Sequence, residues 1–205
     1  MIAATGLAAL LLAQAVSAAD ASSGASSSTS AAAAPMPTGA EMTARIEAND
    51  AALFWNFFEA CDPAAAAPLL HEDFRMLHDL AGLAAVSAEE FLAGEREQCD
   101  RRKPGGEDEG YRNRRLLAPG SRTIKQLGDW GALEEGYHTF HEWRGEEKGW
   151  VQTGGARYIH LWQWMPHEAR FRLRESLSVD HAAAAPYPPR ETGTGTDTGM
   201  DTGAG

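Results

Sequence analysis

The chain has 205 residues, 43% of them hydrophobic, with 29 Asp and Glu against 18 Lys and Arg and a formal net charge of −11. That length and apolar content suit one ordinary domain with its own core. The acidic balance argues against nucleic acid as a partner.

In chain order, residues 1–19 are almost wholly apolar or small, with a Leu/Ala run at Leu7–Leu12 and small residues at Val16-Ser17-Ala18-Ala19. This pattern predicts a secretory signal peptide, hence a periplasmic or secreted protein with no membrane contact after cleavage. No Lys or Arg precedes the run. An uncleaved anchor is the competing reading, and the short run followed by a small-residue site ranks it second. Residues 20–37 are Ala/Ser-rich and nearly uncharged, and residues 182–205 are Gly/Thr/Pro-rich. Neither stretch has enough apolar surface to offset ordering entropy, so they are expected to be a disordered linker and tail. The folded domain is placed at residues 38–181.

Thr38-Gly39-Ala40-Glu41 has the form of a capping box and opens a helix to about Ala60, with Met42, Ile46, Leu53 and Phe57 on one apolar face. Asp62-Pro63 starts a short second helix running to Leu70. Phe74–His78 reads as a strand, and Gly82 turns the chain. Ser87-Ala88-Glu89-Glu90 is a second capping box, opening a third helix that ends near Arg102. The rest reads as a meander. It comprises an edge strand at Arg112–Leu117, a strand at Arg122–Leu127, a long strand at Ala132–Trp143, and two arms across Trp150–His181 that turn at Met165–Glu168. Gly154-Gly155 is expected to mark a bulge. Helices followed by an antiparallel meander make this an α+β fold with one curved, mostly antiparallel sheet. Cys61 and Cys99 are either a disulfide or two buried thiols, and their separation decides.

Four stretches, in this order and spacing, carry a family resemblance: Cys61-Asp62 through Leu69-Leu70-His71-Glu72-Asp73-Phe74; His78-Asp79-Leu80-Ala81-Gly82; Ala132 through Phe140; and Ala156 through Trp162 with Leu177-Ser178-Val179-Asp180-His181. The chain resembles the nuclear-transport-factor-2-like (NTF2-like, cystatin-like) superfamily, near the DUF4440 and SnoaL-like proteins. The resemblance implies a cone, with three helices packed in the curved sheet. It also implies a homodimer and a small apolar molecule held in the cone. In the ketosteroid isomerases of this superfamily the general base lies where this chain has Asp79, which implies a carboxylate of raised pKa here. The chain departs from that pattern: Leu80 replaces a proline, and Phe54 and Trp55 stand where a tyrosine hydroxyl would hold the enolate.

Two further groups complete the candidate site. His138 and His160 lie mid-strand on adjacent strands, and His138 is the second candidate base, since imidazole titrates near neutrality. Hydrogen-bonded structural histidines are the plainer reading of both, and no metal or cofactor is predicted. Trp55, Phe58, Tyr158, His160 and Trp162 are expected to line a ligand cavity. Ser178, Asp180 and His181 do not qualify as a relay, because regular alternation would turn His181 away from Ser178. The sequence therefore favours small-molecule binding. A lyase or isomerase using Asp79 or His138, and a solid dimerisation scaffold, are the alternatives.

Overall fold

The computed structural model describes residues 33–184 and Tyr187. The expected signal peptide, residues 20–32 of the linker and, Tyr187 apart, the tail beyond residue 184 lie outside the described residues. Helix α1 spans Gly39–Phe54 and continues as a π-helical turn, Trp55–Glu59. Buried Met42, Ile46, Asp50, Leu53 and Phe57 recur every three to four residues and form the stripe that meets the sheet. The wider π turn swings Phe57 and Phe58 toward the sheet and leaves Trp55 outward. The expected capping box at Thr38 does not close, because its side chain makes no cap hydrogen bond and Glu41 instead pairs forward with Arg45 at 2.7 Å.

Asp62 caps helix α2 (Pro63–Ala66) by accepting from Ala65 N at 3.0 Å, and a 3₁₀ turn, Ala67–Leu69, follows. Strand β1 is Leu70–His78, starting earlier than expected because Leu70 already pairs with Leu173. Strand β2 (Gly82–Ala85) was not expected; four residues are too few to show alternation. Helix α3 is Ala88–Arg101. Ser87 Oγ accepts from Glu90 N at 3.2 Å, while Glu90 reaches back one residue further than a capping box requires, to Val86 N. Cys61 and Cys99 form a disulfide with Cα atoms 5.6 Å apart, fastening the end of the π turn to the last turn of α3.

Strands β3 (Asn113–Leu117), β4 (Thr123–Leu127), β5 (Gly131–Trp143), β6 (Trp150–Met165) and β7 (Arg170–Ala182) complete a seven-stranded sheet of order β2-β1-β7-β6-β5-β3, with β4 also on β5. All pairs are antiparallel except β1 with β7. The register slips on both sides of Gly154-Gly155, where Thr153 is extra against β5 and β7 carries two residues, Asp180 and His181, against Ala156. The slips curve the sheet around α1. At the closed end Met42, Ile46 and Leu53 pack on Trp162, Trp164, Phe171 and Leu173. The folded unit starts before residue 38: Ala34 N donates to Pro166 O, and Ala34 O accepts from Trp164 Nε1 at 3.0 Å. It also reaches past 181, since the Tyr187 ring lies tilted 5.2 Å from that of Tyr137 and its hydroxyl donates to Gly120 O. No helix among the described residues is long and apolar enough to cross a membrane.

Candidate functional site

A cavity of about 410 Å³ lies between the helices and the open end of the concave face. Leu53, Phe54, Phe57 and Phe58 form the α1 wall; Leu70, Phe74 and Met76 of β1, Phe91 of α3, and Phe140 and Leu173 complete the apolar lining. The polar lining comes from His78, Glu95, His138, Tyr158, His160, Ser176, Ser178 and His181. Volume and lining are those of a site for one small molecule.

Beneath the inner wall lies a buried network of charged side chains. Asp50 Oδ2 accepts from Arg115 Nη1 at 2.8 Å and Arg122 Nη2 at 2.6 Å. Arg122 Nε stands 2.9 Å from Glu134 Oε1, and Glu134 also accepts from the Tyr158 hydroxyl and from Trp162 Nε1. Gly136 makes this possible, because a Cβ there would lie 2.8 Å from the Tyr158 hydroxyl oxygen. Burial pushes the Glu134 carboxyl upward, but His160, Arg122 and Trp162 outweigh it and hold the group ionised, below its ordinary range. His160 Nδ1 sits 3.7 Å from both Asp50 and Glu134, beyond hydrogen-bond reach. Asp50, Glu134 and His160 have metal-ligand spacing. Two arginines already balance the two carboxylates, so a cation there would add charge where none is missing.

His138 borders this network, is 3% exposed and lines the cavity. Its Nδ1 accepts from Arg115 Nε at 2.9 Å. Arginine only donates, so the ring is neutral and its proton sits on Nε2. Burial, then Arg115, lowers the His138 pKa to about 2. This corrects the expectation of a base titrating near neutrality. His138 is a fixed neutral donor, and its buried Nε2 has no partner among the described residues.

The mouth holds a second cluster. His181 Nδ1 lies 2.5 Å from Asp79 Oδ1, its backbone N donates to Asp79 Oδ2 at 3.0 Å, and its Nε2 lies 3.2 Å from Ser178 Oγ. The His181 ring stacks on His78 at 4.0 Å. Asp180 holds φ at +60°, so alternation fails there and His181 folds back over Ser178. This reverses the sequence-based dismissal of the set, with Asp79 in place of Asp180 as the carboxylate. The backbone hydrogen bond from His181, then its side chain, holds the Asp79 carboxyl below its usual range, opposite to the raised value the resemblance implies. His78, Asp79 and His181 also have metal-ligand spacing. However, His78 Nδ1 accepts from Leu80 N at 3.2 Å and His181 Nδ1 is engaged by Asp79, so a metal would have to displace both contacts.

Of the expected lining residues, Phe58, His138, Tyr158 and His160 border the cavity. Trp55 does not; the π turn leaves it 56% exposed on the outer surface. Trp162 is fully buried beneath the floor, bonded to Glu134. Asp79 stands at the rim and meets the cavity through His181. Sequence reasoning missed Glu95, whose carboxyl burial raises despite Arg102. Its spacing four residues after Phe91 on α3 was the available signal.

No family model and no curated protein matches the chain. Solved structures do. The chain is similar to ActVI-ORFA from Streptomyces coelicolor, at 15% identity over 69% of this chain and 97% of that one, with a TM-score of 0.55. It is similar to a protein from Catenulispora acidiphila in complex with S-DNPA, at 12% identity over 68% of this chain and 95% of that one, TM-score 0.54. An NTF2-like protein with a cystatin-like fold from Novosphingobium aromaticivorans matches at 17% identity over 67% of this chain and 80% of that one, TM-score 0.50. At these identities the likeness shows the fold alone.

Proposed function

We propose that this NTF2-like cone binds one small, flat, mostly apolar molecule and holds its single carbonyl or hydroxyl oxygen on His138 Nε2–H. The observation that carries the reading is a buried imidazole donor, unpartnered among the described residues, on a histidine that lines a cavity walled by phenylalanines. An unsatisfied buried donor costs roughly 1 to 3 kcal/mol, and a ligand oxygen would recover that. The solved relative in complex with S-DNPA supports a small-molecule role for the fold. The Cys61–Cys99 disulfide supports export to an oxidising compartment. A place beside the DUF4440 and SnoaL-like proteins, and homodimerisation, belong to the same proposal.

Titration calorimetry with 2-acetylnaphthalene and 2-ethylnaphthalene tests the reading. The ketone should bind about tenfold more tightly than the hydrocarbon, the scale of one buried hydrogen bond. In His138→Phe that preference should vanish. Equal affinity in the wild type, or no saturable binding of either compound, would refute the reading.

A further inference from the structure

We propose that Ser178, His181 and Asp79 form an acyl-transfer centre at the mouth of the cone, acting on carboxylic esters whose apolar part fills the cavity. The substrate class rests on the cavity reading above; the nucleophile rests on the geometry of these three residues alone.

The order of hydrogen bonds sets the direction of proton flow. Asp79 is a carboxylate fixed at both oxygens, one by the His181 backbone N–H and one by its ring. The ring proton facing a carboxylate belongs on Nδ1, which leaves the Nε2 lone pair directed at Ser178 Oγ, 3.2 Å away. A hydroxyl bonded to an imidazole, itself oriented by a carboxylate, is the arrangement that activates a serine, whatever the fold. Ser178 is 6% exposed and lines the cavity, so it meets a bound molecule rather than bulk water. The arrangement depends on the left-handed Asp180, a strained conformation for a residue with a side chain. Across the sheet, Ala156 stands between His138 on β5 and the Asp180-His181 pair on β7. The two imidazoles stand two strand spacings apart, roughly 10 Å between backbones, and the Phe140 ring lies 4.6 Å from that of His138 and 6.3 Å from that of His181. One imidazole offers a fixed N–H and the other a lone pair.

In the step proposed, Ser178 Oγ bonds to the ester carbonyl carbon and its proton passes to His181 Nε2. His138 Nε2–H receives the developing oxyanion. The C–O bond to the alcohol breaks, the alcohol leaves with the proton from His181, and acyl-Ser178 remains. Water then attacks the acyl carbon, giving a proton to His181. Collapse releases the acid and returns that proton to Ser178.

The test uses the whole mature protein with a fluorophosphonate probe and with 4-nitrophenyl butyrate. Intact mass spectrometry should show one phosphonyl adduct, and peptide mapping of the wild type should place it on Ser178. Ser178→Ala should abolish the adduct and lower ester turnover at least about a hundredfold, and Asp79→Asn at least about tenfold. An unlabelled wild type, an adduct on another residue, or turnover unchanged in Ser178→Ala would overturn the proposal; mapping on the wild type decides even if a variant misfolds. Ketone binding by the wild type separates the two readings. Binding without labelling removes the acyl-transfer centre alone, and labelling without binding removes the cavity reading and its substrate class alone.

Discussion

Two clusters of histidine and carboxylate share one concave face, yet they differ in what surrounds the carboxylates. In the inner cluster Asp50 and Glu134 are matched by Arg115 and Arg122, and the Tyr158 and Trp162 donors take up Glu134's remaining capacity. In the outer cluster Asp79 contacts no arginine among the described residues; its ion partners are His78 and His181. A carboxylate tied to a guanidinium cannot pass protons at ordinary pH, because arginine does not release them. A carboxylate tied to imidazole can orient one that does. Residue types alone would rank the clusters equally as metal or acid–base sites, and both have metal-ligand spacing. The counter-cation separates scaffold from chemistry.

The largest expected effect is at the inner cluster. Glu134→Gln takes the buried carboxylate from Arg122, and breaking a buried pair from one side costs roughly 3 to 5 kcal/mol. Urea unfolding measures it. Asp79→Asn should move the midpoint much less, because the mouth is open to water. Equal losses from the two variants would break the comparison.

The next effect concerns how the outer half is held. The inner half is fastened by ion pairs, whereas the Cys61–Cys99 bond, 38 residues apart in sequence, ties the π turn to α3, two walls of the cavity. Reduction should cost roughly 2 to 4 kcal/mol. Parallel urea curves with and without reductant test this. An unchanged midpoint would mean the bond does not hold the outer half.

This contrast also explains what was legible in the sequence. Elements with a clear period were readable: the apolar stripe of α1, the long β5, and the β6–β7 hairpin. The missed features depend on broken periods. The π turn redirects Trp55 outward, and the left-handed Asp180 returns His181 to the face of Ser178. Neither slip has a local signature in its residue types. The network partners fall in segments whose sequence predicts only strand, Arg115 in the expected edge strand and Arg122 in the strand after it. Their ion pairs with Asp50 on α1 join residues 65 and 72 apart in sequence, a relation that no spacing rule reaches.

His138 sharpens the comparison from the border between the clusters. Its pKa near 2 lies below the ordinary histidine value of 6.5. The unfolded chain therefore binds a proton that the folded chain refuses, and stability falls as pH drops below about 6.5, by up to about 1.4 kcal/mol per unit. His138→Gln keeps an acceptor for Arg115 but does not titrate. Between pH 6.5 and 5 the wild type should lose about 1.6 kcal/mol more than this variant, read from urea midpoints at each pH. Parallel losses would show that Arg115 does not set the state of this imidazole.

The smallest effect is at Glu95, the carboxyl on the outer wall that lacks the close arginine pairing of Asp50. Burial raises its pKa, and Arg102 only partly offsets that. Above the unfolded value, about 4.5 for glutamate, the folded chain holds this proton more tightly than the unfolded one. Stability therefore declines with rising pH until the folded group also ionises, and the penalty is then constant. Glu95→Gln removes the penalty, so it should be slightly more stable than the wild type at pH 8, by roughly half a kcal/mol, the scale of a partly exposed substitution. The advantage should vanish at pH 4. Thermal unfolding at the two pH values measures it. A variant less stable at pH 8 than at pH 4, relative to wild type, would mean that Arg102 holds Glu95 as firmly as Arg122 holds Glu134. The outer wall would then be scaffold as well, and Asp79 would be the carboxylate of the mouth that, among the described residues, pairs with imidazole and no arginine.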